Sequence, residues 1–210
     1  MAFYSKKKEE ATEETAEEEN PSIFFLPQQQ TSEMRMTGVY GEISEEKCSE
    51  LIYHMYSLLA SGKVEDEEGN VTCNPFEFVV STWGGSAAEM FAVYDVMRMI
   101  KDECDIGTLG LGKVMSAGVL LLAAGTKGKR RIGKSCRVMI HNAASGHVGE
   151  LHNLETELEE LKETQKRYID ALVKNSDMTK KYLKNLLDRK TNVYLTAQEA
   201  VELGIADEVV

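Results

Sequence analysis

The stretch Ile106–Gly125, IGTLGLGKVMSAGVLLLAAG, decides how the rest of the chain is read. Ile106 to Gly112 is strand-like and Ser116 to Gly125 is an apolar, Leu- and Ala-rich helix, so a strand, a turn and a helix follow one another within a few turns of chain. The same form recurs on both sides. Upstream, FEFVV at Phe76 to Val80 is a β-rich run, STWGGS is a turn, and Ala87 to Lys101 carries Met90, Val93, Tyr94, Met97 and Ile100 as a stripe at helical spacing. Nearer the start, MTGVYGEI reads as a short strand, after which Ser44 opens a helix with Cys48, Leu51, Ile52, Met55, Leu58 and Leu59 on one face. Downstream, RVMIH at Arg137 to His141 is a further strand. Repeated βα units predict an α/β fold with parallel pairing and right-handed crossovers. The segment from Ser61 to Pro75, with Gly, Asn and Pro punctuation and acids at Glu65, Asp66, Glu67 and Glu68, reads as a solvated loop.

Glu150 to Lys174 is the plainest helix in the sequence. Leu151, Leu154, Leu158, Leu161, Gln165, Tyr168 and Leu172 alternate spacings of three and four, and dense Glu and Lys flanks suggest that the helix projects and meets another subunit. In the closing LTAQEAVELGIADEV, Thr196 and Glu199 form a capping box and Gly204 a C-cap, which predicts a short helix and strand. Residues 1–20 alternate Lys and Glu blocks with few apolar side chains and are expected to be a disordered acidic tail or removable leader. Residues 21–36 read as an N-terminal arm, leaving 37–210 as one domain.

Composition narrows function. With 42% hydrophobic and 28% charged residues, the profile is that of a soluble globular domain. A net charge of -11 repels a phosphate backbone, so nucleic acid is not an expected partner. The longest apolar run, Val119 to Ala124, is too short to cross a bilayer, and the Arg-free, Glu-rich start is unlike a transit peptide. Cys48, Cys73, Cys104 and Cys136 lack metal-ligand spacing and suggest reduced thiols in a cytoplasmic compartment rather than a disulfide framework. His147 and His152 have no ligand partners at suitable spacing, so neither a metal nor a cofactor is expected.

Acyl transfer needs a nucleophile, a base, a group orienting that base, and donors for the oxyanion. Ser116 lies between a strand and a helix, where a serine is also an ordinary N-cap; His141 ends a strand, where a histidine is also an ordinary structural group. Gly84 and Gly85 follow a strand and precede a helix, so their backbone can approach a substrate closely. Taken together, these segments resemble the ClpP family of self-compartmentalised serine peptidases, as a divergent member. STWGGSAAEMFAVYDVMRMI stands where that family has a strand ending in S-P-G-G, with Thr82 and Trp83 in place of a single proline. GKVMSAGVLLLAAGTKGKR matches its G-x-A-S-M-G motif and helix, SCRVMIHN its S-R-V-M-I-H-Q, and LTAQEAVELGIAD its C-terminal motif, covering roughly Gly38 to Val210.

The resemblance implies a ClpP/crotonase-like head of repeated β-β-α units in a superhelix, with a projecting handle helix at about 150–174. It implies a serine endopeptidase acting on unfolded polypeptides, with Ser116 as nucleophile and His141 as base, separated by the family's 25 residues. The oxyanion donors would be the backbone N–H groups of Gly85 and Ala117, and Gly146 and Gly149 would belong to the strand that aligns substrate. It also implies heptameric rings stacked as a tetradecamer and fed by a separate AAA+ unfoldase of the ClpX or ClpA type. The family's triad aspartate falls on Asn192, whose amide can orient an imidazole but cannot stabilise an imidazolium as a carboxylate does. The alternative is therefore a weakly active or inactive subunit serving as scaffold or regulator in a mixed ring. A crotonase-type acyl-CoA activity has no carboxylate pair to support it.

Overall fold

The structure, a computed structural model, describes residues 34–189 and 191–210. The tail expected at 1–20 and most of the arm at 21–36 lie outside the described residues; the arm's last residue, Met36, already belongs to the first strand.

The chain runs β1 (Met36–Ile43), α1 (Glu45–Gly62), β2 (Lys63–Glu65), β3 (Val71–Cys73), β4 (Phe76–Gly85), α2 (Ala87–Ile100), β5 (Ile106–Met115) and α3 (Ala117–Ala123). It continues β6 (Arg130–Ile132), β7 (Arg137–Ile140), α4 (Leu151–Lys174), α5 (Lys180–Leu187), β8 (Val193–Leu195), α6 (Ala197–Glu202) and β9 (Glu208–Val209). Among the described residues, seven strands form one mixed sheet in which β1, β4, β5, β6 and β9 follow one another in parallel. The long β5 divides its edge: Thr108 to Gly110 pair with β6, and Lys113 to Met115 pair with β7. This division lets β7 run past the end of β5, which matters for the site.

The helix α3 is buried on all sides, as its sequence requires: Val119, Leu120, Leu121 and Leu122 are fully enclosed, each worth about 1.5–3 kcal/mol of apolar burial. A helix so short leaves its last carbonyls free, and they are claimed from outside. Thr108 Oγ1 donates to Leu122 O at 2.8 Å, Lys101 Nζ to Ala124 O at 2.6 Å, and Arg130 Nη1 to Ala123 O at 3.2 Å. Arg130 is itself buried and paired with Asp207, fastening the C-terminal segment to the sheet.

Several expectations are corrected. Both β4 and β5 run to the end of what the sequence marks as turns, because their glycines allow the extended chain to continue through Gly85 and past Gly112. The segment read as a solvated loop is exposed but contains the antiparallel hairpin β2–β3, closed by Asp66 accepting the N–H groups of Glu68 and Asn70. Pairing is not parallel throughout, since β8 lies antiparallel to β7. Nor are all thiols free: Cys73 and Cys104 are joined as a disulfide with Cα atoms 5.2 Å apart, while Cys48 and Cys136 are buried and free. No spacing rule brings these two cysteines together; the return of β4 beside β5 does.

Candidate active site

The register between β5 and β7 brings the nucleophile candidate to the base candidate. Met115 pairs with Met139, so one further residue on β5 and two on β7 place Ser116 and His141 side by side at the ends of neighbouring strands. His141 Nε2 lies 2.8 Å from Ser116 Oγ. The serine hydroxyl makes no capping bond to α3 and points instead to the imidazole.

Ser116 has φ 55° and ψ −121°, and it alone among the described non-glycine residues has a positive φ. Such a conformation costs about 1–3 kcal/mol and persists only when its surroundings hold it. Here its N–H donates to Met139 O at 2.8 Å, and its carbonyl accepts from Val119 N–H and from the Tyr168 hydroxyl, each at 3.1 Å. The result is a sharp strand-to-helix turn that lifts the hydroxyl off the sheet. Burial pushes the Tyr168 hydroxyl's pKa upward, so it stays protonated and remains a donor.

Gly84 closes against this turn. Its φ is +96°, and a Cβ there would sit 2.6 Å from the Ser116 Cβ, so glycine is required both for the backbone angle and for the space. Gly85, with φ +150°, packs where a side chain would run into the Ile43 backbone. Gly85, Ala117, Ser116 and His141 all line one cleft of about 840 Å³. Ala117 is the first residue of α3, where a backbone N–H has no partner within the helix.

The remaining sequence candidates are placed differently. Asn192 is exposed and immediately precedes the Val193 that pairs with Ile140, so its backbone lies beside that of His141. No hydrogen bond joins its side chain to His141, and among the described residues His141 Nδ1 has no side-chain partner. Gly146 and Gly149 do not lie on a strand: residues 141–149 are irregular and largely exposed, and a Cβ at Gly146 would meet nothing within 4 Å. His147, without a carboxylate partner by spacing, has one in space, its Nε2 standing 3.3 Å from Glu157 Oε2 on α4.

Two contributors escaped the sequence reading. Tyr168 holds the Ser116 turn, and Gln165 accepts the Ala143 N–H at 2.6 Å while donating to Asn142 Oδ1 at 3.0 Å. Asn142 in turn donates to Leu187 O on α5, so the chain leaving His141 is tied to two helices. Both Tyr168 and Gln165 were visible as members of the α4 seam. Their spacing of three residues put them on one face, and that face meets the site.

A strained serine and a histidine on adjacent parallel strands, with glycine-lined backbone around them, define an α/β protein with a nucleophile-turn geometry. A family model described as Clp protease matches residues 25–210. The ATP-dependent Clp protease proteolytic subunit 2 of Corynebacterium jeikeium (strain K411) is 35% identical over 131 residues, which span 62% of this chain and 61% of that protein. The chain belongs to the Clp protease family.

Proposed function

We propose that the protein is the serine endopeptidase subunit of a compartmentalised protease that cleaves unfolded polypeptides. The observation that carries this reading is the 2.8 Å approach of His141 Nε2 to Ser116 Oγ on a strained turn. In the reaction, Ser116 Oγ attacks the peptide carbonyl carbon as His141 Nε2 takes its proton, and the new oxyanion is met by the N–H groups of Gly85 and Ala117. His141 returns the proton to the departing amine, leaving an acyl-serine. Water, activated by the same imidazole, then releases the acid and restores Ser116. The handle reading of α4 is supported by its N-terminal half, where Leu151 and Leu158 are 73% and 51% exposed, consistent with contact between stacked heptameric rings. Substrate delivery by a separate AAA+ unfoldase is supported by the relative's description as ATP-dependent. No described helix is long and apolar enough to cross a membrane.

One observation favours the second reading, a weakly active scaffold or regulatory subunit: Asn192 makes no bond to His141. The two are separated by assaying cleavage of an unfolded fluorogenic protein by wild type, Ser116→Ala and Asn192→Asp, with native mass spectrometry to register the rings. The peptidase reading expects turnover that requires Ser116 and rises with Asn192→Asp. Assembled rings inert in all three forms would establish the scaffold.

A further inference from the structure

Trp83 is 62% exposed in a position where the fold makes a deliberate irregularity. In the pairing of β1 with β4, Gly41 faces Thr82 and the next residue, Glu42, faces Gly84, so Trp83 is the extra residue of a β-bulge. A bulge leaves its extra residue unpaired and re-aims that side chain, and bulges recur beside active sites. The ladder broken here is repaired by Thr82, which is fully buried: its hydroxyl donates to Gly41 O at 2.6 Å and accepts the Gly84 N–H at 2.9 Å. On the other edge of β4 a second register shift between Val80 and Thr82 loops β5 outward through Gly112, φ +65°, and sets Lys113 Nζ over the Trp83 ring, 4.5 Å from its centre. The ring is thus fixed from outside by a cation, yet still largely uncovered, and it lines the same cleft as Ser116 and His141.

We propose that Trp83 is a specificity-determining residue, its indole forming one wall of a subsite for an aromatic side chain of the polypeptide that Ser116 attacks. The inference rests on the catalytic cleft proposed above. Three features select an aromatic occupant. An exposed indole at a cleft mouth offers a large, rigid apolar face, and aromatic pairs gain beyond the area they bury. Ala87, Ala88 and Met90 on the adjoining start of α2 continue that apolar wall. Lys113 already occupies the electron-rich face of the ring, so a basic side chain stacking there would meet a like charge.

Because Trp83 is the single tryptophan of the chain, its emission reports the subsite directly. The test uses the full-length Ser116→Ala protein, which binds without cleaving, and dye-labelled unfolded peptides in which each position in turn is Phe, Ala or Lys. Peptide polarisation gives affinity and Trp83 emission gives occupancy. The Phe peptides are expected to bind about three- to tenfold more tightly than the Ala peptides at one position, the gain typical of an aromatic pair, and to shift the emission to the blue. Replacing Trp83 by Ala in the same background should abolish that preference while leaving Ala-peptide affinity within about twofold, and Trp83→Phe should restore part of it. The proposal is overturned if Phe and Ala peptides bind alike at every position, if the preference survives Trp83→Ala, or if binding leaves the emission unchanged. An aromatic preference intact beside a wild-type protein whose Ser116 does not react would fault the catalytic reading alone.

Discussion

Replacing Tyr168 by Phe removes one oxygen and tests whether α4 holds the turn at Ser116, the proposed nucleophile. The hydroxyl donates to the Ser116 carbonyl at 3.1 Å from a side chain that is 8% exposed, so no water readily takes its place. The carbonyl keeps its second donor, Val119 N–H, also at 3.1 Å. The loss is therefore one net hydrogen bond, about 1 kcal/mol. If the turn at Ser116 is held in its reactive conformation by that bond, the same energy appears in the barrier and slows acylation about fivefold. The assay is the second-order rate of Ser116 labelling by a fluorophosphonate, measured beside the urea midpoint of each variant. Because burial raises the Tyr168 pKa, the fivefold deficit should be constant between about pH 6 and 9, where the hydroxyl remains protonated. A Tyr168→Phe protein that loses stability yet labels at the wild-type rate refutes the positioning role and leaves Tyr168 a packing residue.

The Arg130–Asp207 pair should make the protein acid-sensitive. Burial alone would raise the Asp207 pKa, but the hydrogen bonds and charge of Arg130 hold it below the usual carboxylate value. The linked stability is present above that usual value, about 4, and is lost as pH falls through the lower folded value, so urea midpoints should drop in acid. Asp207→Asn should flatten this dependence and cost about 3–5 kcal/mol near neutrality by leaving Arg130 without its counter-charge. Gly84→Ala, which forces a Cβ into Ser116 at φ +96°, should cost about 1–3 kcal/mol in thermal or urea unfolding and abolish labelling of Ser116; a fully reactive variant would contradict the close approach. Burial pushes the Cys48 and Cys136 thiols up to about 11. Iodoacetamide should therefore spare the native protein, modify those two after unfolding without reductant, and reach all four cysteines only when reductant is added, as read by intact mass.

Local periodicity made most helices and the longer parallel strands β1, β4, β5 and β7 legible. The capping box at Thr196 is present as the sequence predicts, with Thr196 and Glu199 bonding reciprocally, because a cap depends only on residues three apart. Short elements were not legible. In β6, β8 and α5 the pattern is too brief to mark a period, and they are ordered by what they pack on: β8 by β7, and α5 by Leu183, Leu186 and Leu187 entering the core. Ser116 is marked by its place between strand and helix and His141 by its place at a strand end, and the family resemblance joins them, but their approach depends on the β5–β7 register, which no local signal states. The Trp83 bulge illustrates the same limit. Thr82 and Trp83 stand where the resembled family has one proline, but that the extra residue bulges out of β4 against β1 shows only where Gly41 and Glu42 face Thr82 and Gly84.

Whether His141 activates the Ser116 hydroxyl is answered by mapping the fluorophosphonate adduct on the assembled protein by peptide mass spectrometry. A single adduct is expected, on Ser116, disappearing in Ser116→Ala and strongly reduced in His141→Ala. Assembled protein that acquires no adduct, or acquires it on another residue, would rule that activation out.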